Sequence, residues 1–72
     1  MSKTQDAFVL GATVGRSILR SPAYYDGEGD WVNHDNAQVY YSRKAMREGL
    51  REAKKVLPEG ADAVHAFGVI VS

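Results

Sequence analysis

Two apolar runs with strand periodicity stand near the ends of this 72-residue chain, and each is apolar or small on both of its faces. In residues 7–20 (AFVLGATVGRSILR), Phe8, Leu10, Ala12 and Val14 fall on one side, and Ala7, Val9, Gly11 and Thr13 on the other. In residues 61–71 (ADAVHAFGVIV), His65, Phe67, Val69 and Val71 point one way, and Val64, Ala66, Gly68 and Ile70 the other. A strand without a polar face needs cover on both sides. The pattern predicts strands over 7–15 and 61–71 that pair, antiparallel within the chain or through partner subunits. Gly15 permits a bend between them, after which Ile18 and Leu19 pack in a short turn or helix.

Only one helix is available as cover. At 100° per residue, Val39, Met46, Leu50, Ala53 and Leu57 share one arc, widened by Ala45, Gly49 and Val56. Arg43, Lys44, Arg47, Arg51 and Lys54 share a second arc, with Glu48 and Glu52 between the two. The spacing predicts an amphipathic helix over 36–57, with Asp35 as N-cap and Gln38 as its partner three positions on. Lys54 and Lys55 suit the negative end of the helix dipole, and Pro58 and Gly60 end the helix. Val39-Tyr40-Tyr41 also reads as the end of a strand. The fold class is therefore α+β, a strand–loop–helix–strand domain in which Met46, Leu50 and Leu57 are expected to bury against Phe67 and Val69. The face of the sheet left over must meet the loop or another chain.

That loop, residues 21–35 (SPAYYDGEGDWVNHD), is rich in turn formers yet holds Tyr24, Tyr25 and Trp31. Its aromatic residues are either folded onto the core or offered as a contact surface.

Length and composition limit the rest. A chain this short has room for one core, which supplies about 3–5 kcal/mol, and domains of that size usually add disulfides, a metal or a partner chain. With no cysteine, disulfides, Cys-zinc sites and cysteine nucleophiles are excluded, which favours a homo-oligomer or another protein partner. Nine Lys+Arg balance nine Asp+Glu, so a chain that is basic throughout, as a general nucleic-acid binder would be, is excluded. No apolar run approaches a membrane span of about 20 residues. The N-terminus, Met-Ser-Lys-Thr-Gln-Asp, lacks the basic-then-apolar order of a signal peptide, which implies a cytoplasmic protein without a membrane partner.

Two segments carry a family resemblance. The run EAKKVLPEGADAVHAFGVIV, through Glu52, Ala53, Gly60, Ala61, Asp62, Ala63 and Val64, resembles the end of the small bacterial YbjQ-like family, which bears a heavy-metal-binding label. FVLGATVGRSIL is similar to that family's first strand and following turn, through Val9, Leu10, Gly11 and Gly15. Pro58 departs from the family pattern, and the central loop has no counterpart in it. The resemblance implies a small α+β protomer that assembles into a symmetric ring, with strands joined between subunits.

Candidate chemistry is sparse. Asp26-Gly27-Glu28-Gly29-Asp30 is similar to the first ligands of a calcium loop, but Trp31 stands where a glycine is needed and Ala37 where the bidentate Glu belongs, which favours a solvated turn. A divalent metal would need His34, His65 and Asp30 brought together, with Asp35 or Asp62 as further donors. Otherwise His65 packs on an apolar face and His34 sits in solvent. Arg43, Arg47, Arg51 and Lys54 repeat at helical spacing with Tyr40 among them. They form either a solvated or subunit-bridging face, or a contact for a polyanionic partner, phosphates or an acidic protein surface. Ser2, Ser17, Ser21, Ser42 and Ser72 lack nucleophile context, and the glycines make no phosphate-binding motif, so no enzyme is expected.

The reading that follows is a non-catalytic homo-oligomeric binding or assembly protein. One alternative is a small inhibitor or adaptor, of the kind bacteria and their phages encode, gripping a protein or nucleic acid through Tyr24, Tyr25, Trp31, Tyr40, Arg43, Arg47, Arg51 and Lys54. The other is a metal-binding protein using His34, His65 and Asp30.

Overall fold

A computed structural model describes residues 7–20 and 22–69. The elements are β1 (Phe8–Val14), β2 (Ser17–Ile18), β3 (Tyr24–Tyr25), β4 (Trp31–Val32), a 3-10 turn (His34–Asn36), α1 (Arg43–Lys55) and β5 (Ala63–Gly68). The α+β class holds: one helix lies against an antiparallel sheet of five strands. Ile70 and Val71, expected in the last strand, lie outside the described residues.

β1 is the axis of the sheet. Along one edge it pairs antiparallel with β5 in an unbroken register, from Phe8 opposite Gly68 to Thr13 opposite Ala63. Its other edge is shared out among short segments. Gly15 at φ +61° turns the chain so that β2 pairs with Thr13 and Val14. The Leu19 N–H then donates to the Ala12 carbonyl at 2.9 Å, and the Ala12 N–H to the Ala23 carbonyl at 2.8 Å. Tyr24 pairs with Gly11, and Phe8 exchanges two 2.8 Å backbone bonds with Tyr40. Asp62 ties the two ends of β1 and β5 together, its N–H donating to the Thr13 carbonyl and its Oδ2 accepting from the Gly15 N–H.

The pairing of Tyr40 corrects the expected helix start. With its N–H and C=O committed to Phe8, Tyr40 is extended, and the β-branched and aromatic residues around it favour that state. The helix begins at Arg43 instead of residue 36, capped by Ser42, whose Oγ accepts from the Ala45 N–H at 3.1 Å. Asp35 sits in the 3-10 turn and caps nothing. At the other end Lys55 is the last helical residue, and Gly60 at φ +91° redirects the chain toward β5.

The helix covers the face of the sheet that carries Leu10, Val64 and Ala66, where Leu10, Tyr25, Ala53 and Val64 are buried and Met46, Leu50 and Leu57 pack against them. Phe67 and Val69 are thus not the partners of those three side chains. Phe67 lies on the opposite face and closes over Gly11, where an added Cβ would stand 2.9 Å from its ring. Tyr24 approaches the same spot from the loop side, and a Cβ there would lie 3.4 Å from its ring. Val9 and Thr13, on that second face, are 3% and 4% exposed. The second face of β1 is therefore covered within one chain, by Phe67 and by the loop.

Candidate functional site

Adjacent residues of a strand point to opposite faces, and β3 uses this to divide its two tyrosines. Tyr25 enters the core at 2% exposure, its ring 5.3 Å from that of Trp31 and its hydroxyl donating to Glu52 Oε1 at 3.4 Å. Trp31 is half-buried, and its Nε1–H donates to the Val56 carbonyl at 2.8 Å, latching the end of α1 to the loop. Tyr40 is not among the basic side chains. Its ring lies where a Cβ on Gly49 would stand, 2.6 Å from Cζ, so glycine is what lets strand and helix meet there. Burial raises the Tyr25 hydroxyl above its ordinary value of 10.0, and the Glu52 carboxylate adds to the effect. Burial also raises Tyr40, followed by the negative charges that Tyr25 and Glu52 would carry. Tyr24 faces the other way and meets the edge of the His34 ring at 5.1 Å.

The polar side of α1 is bare by contrast. Arg43, Lys44, Arg47, Arg51, Lys54 and Lys55 are all exposed, and none has a carboxylate within 4.0 Å among the described residues. Glu48 borders this row and is exposed, while Glu52, farther round the helix, is turned to Tyr25. The first turn of α1 contains no acidic residue, so Arg43 and Lys44 sit unbalanced at the positive end of the helix dipole. Just ahead of the cap, Tyr41 is 55% exposed. The sequence pattern places Tyr41 inside a helix over 36–57 or at the end of a strand, and its exposed position ahead of the helix follows only from the helix starting at Arg43.

The acidic loop holds itself together. Asp26 Oδ1 accepts from the N–H groups of Glu28 at 2.7 Å and Asp30 at 3.0 Å, while Gly27 and Gly29 take φ of 86° and 96°. This is an internally bonded turn joining β3 to β4. His34 lies 3.9 Å from Asp35, both well exposed. His65 is exposed on β5 opposite Gly11, where a packed position was expected. Among the described residues no three His, Asp or Glu side chains converge as a metal site would require, so His34, His65 and Asp30 are not gathered.

β5 supplies the remaining feature. Among the described residues it pairs with β1 alone, so one of its edges is free. The Val69 N–H donates to the Ala7 carbonyl at 2.9 Å, which sets the alternation along the strand. The amides of Ala63, His65 and Phe67 face β1, and those of Val64, Ala66 and Gly68 face away. The surface has no pocket among the described residues, and no described helix is long and apolar enough to cross a membrane.

No family model matches the chain, and comparison with curated proteins and with solved structures finds no match.

Proposed function

We propose that this chain is a non-catalytic homo-oligomeric assembly protein whose copies join through the free edge of β5. The observation that carries the reading is the lack of protection on that edge. Natural sheets blunt an open edge with lysine, proline, a bulge or a covering segment. The strand Ala63–Gly68 (AVHAFG) holds neither lysine nor proline, and its register with β1 runs without a bulge.

The strand is also suited to pairing with itself. In an antiparallel dimer centred on Ala66, the outward amides of Val64, Ala66 and Gly68 meet the partner's Gly68, Ala66 and Val64. His65 then stands at a close, non-hydrogen-bonded position beside the partner's Phe67. Burial of such an edge adds stability to a core that supplies only about 3–5 kcal/mol by itself.

Sedimentation velocity at tens of micromolar tests the reading. The wild type is expected as a defined multimer. Gly68→Pro removes an outward N–H and leaves the ladder to β1 intact, and His65→Lys places a charge on the edge. Both are expected to sediment as folded monomers. A wild type that is a folded monomer, or variants that associate as the wild type does, would refute it.

A further inference from the structure

We infer that the exposed basic side of α1 is a docking surface for single-stranded nucleic acid, held through its phosphates. Arg43, Lys44, Arg47, Arg51, Lys54 and Lys55 occupy about a third of the helix circumference, with no carboxylate inside that sector. Zero net charge excludes a chain that is basic throughout. It does not exclude a basic stripe whose balancing acids lie elsewhere, as they do here.

Two observations separate this stripe from an ordinary solvated face. The first is its position. Cations in the first turn oppose the helix dipole, where Asp or Glu would stabilise, and α1 carries Arg43 and Lys44 there with no acid. A face selected only for solubility has no reason to keep them. The second is that no carboxylate comes within 4.0 Å of these cations among the described residues, although Glu48 is exposed at the border of the stripe. Asp26 is consumed by the amides of its loop and Glu52 by Tyr25, which leaves Glu28 and Asp30 as the loop's free carboxylates.

Spacing and the neighbouring aromatic group favour a nucleic-acid strand over an acidic protein. Arg43, Arg47 and Arg51 follow one another at four residues, a rise of about 6 Å each, comparable with the separation of successive phosphates along a strand. Tyr41, exposed just ahead of the helix, offers a face on which an unpaired base can stack. A duplex keeps its bases from that face, which is why the single strand is the partner chosen.

Fluorescence anisotropy with labelled oligo-dT of about 20 nucleotides is the test, using the full chain. Three phosphates neutralised give a logarithmic salt slope of about −2, so binding should weaken about 15-fold between about 50 and about 200 mM salt. Arg47→Glu/Arg51→Glu should lose binding more than tenfold with an unchanged circular dichroism spectrum, and Tyr41→Ala should weaken it about fivefold or more. If the reversed pair does not fold, Arg43→Gln/Lys44→Gln serves in its place. That variant should bind several-fold more weakly while melting at a higher temperature, because it relieves the dipole. The inference is overturned if the wild type fails to bind at the lower salt. It is also overturned if polyglutamate binds as tightly as the oligonucleotide and Tyr41→Ala changes nothing, since an acidic protein would then be the partner. Gly68→Pro, titrated in parallel, is expected to bind through the same stripe, which keeps this result apart from that for assembly.

Discussion

The two edges of β1 are built in opposite ways. One edge meets a single strand, β5, in a continuous ladder from Phe8 to Thr13. The other meets β2, Leu19, Ala23, Tyr24 and Tyr40 in turn, each for one or two residues. The first edge concentrates its stabilisation in one cooperative unit. The second spreads it over segments that are bonded separately and can loosen separately.

Proline placed on each edge should expose the difference, and this is the largest effect expected. The Val9 N–H faces β5, and Val9 is buried, so Val9→Pro removes a ladder bond and strains the central strand. The cost, about 3 kcal/mol or more, is comparable with all the stability available to so small a domain. The variant should be unfolded at 25 °C by circular dichroism. Leu19→Pro removes one bond to Ala12 at the divided edge and some side-chain burial. Urea denaturation should show a folded protein weakened by about 1–2 kcal/mol. Equal losses at the two positions would abolish the distinction.

The same contrast decides what could be read from the sequence. β1 and β5 were legible because each is a continuous apolar run bounded by turn formers, while the pattern left open whether they pair antiparallel within the chain or through partner subunits. The two sides of α1 were legible from their period of 3.6. The divided edge was not. Tyr40 is extended because Phe8, far away in sequence, takes its backbone bonds, and no local pattern reports that. Which face of β5 meets the helix was also hidden, since both faces are apolar. Gly11 bears on it, because the Phe67 ring crowds the place a Cβ there would take, and Val64 and Ala66 are on the face that meets Leu50 and Met46. Of the loop aromatics, Tyr25 and Trp31 proved to be fastenings for α1 rather than a free contact surface, whereas the cationic row stands exposed as its spacing implied.

A smaller effect probes the buried end of the divided edge through pH. Tyr25 and Tyr40 have hydroxyls raised above 10.0 in the folded chain, chiefly by burial. For such groups the neutral form is the one the fold favours. Their contribution is complete below the unfolded value near 10 and is lost as pH rises through the folded value. Stability should thus be flat with respect to these two groups at neutral pH and fall above about pH 10. Tyr25→Phe should flatten the alkaline fall while changing stability at pH 7 by about 1 kcal/mol or less, since the bond to Glu52 is long at 3.4 Å. Thermal melts across the alkaline range, with the tyrosinate absorbance followed in parallel, provide the check. An alkaline fall undiminished in Tyr25→Phe would assign the effect to Tyr40.

The smallest effect expected is that of removing metal. A zinc or iron site needs three or more ligands held about 2.0–2.2 Å from one point. His34 is turned against Tyr24 beyond the divided edge, and His65 rides on β5 at the other side of β1, so the two histidines belong to opposite flanks of the axis strand. Asp30 closes its own turn by donating its N–H to Asp26. A metal bound to the folded state at a hundred times its dissociation constant would add about 2.7 kcal/mol. In a domain of this size that corresponds to a shift of roughly 10 °C or more in thermal midpoint. Chelation by excess EDTA should instead leave the midpoint unmoved. Elemental analysis of the purified chain should find less than stoichiometric zinc, iron or calcium. A fall of many degrees on chelation, reversed by one added metal and absent in His34→Ala/His65→Ala, would show that assembly brings these residues together between copies, and would move the centre of the molecule's chemistry from the β5 edge to its histidines.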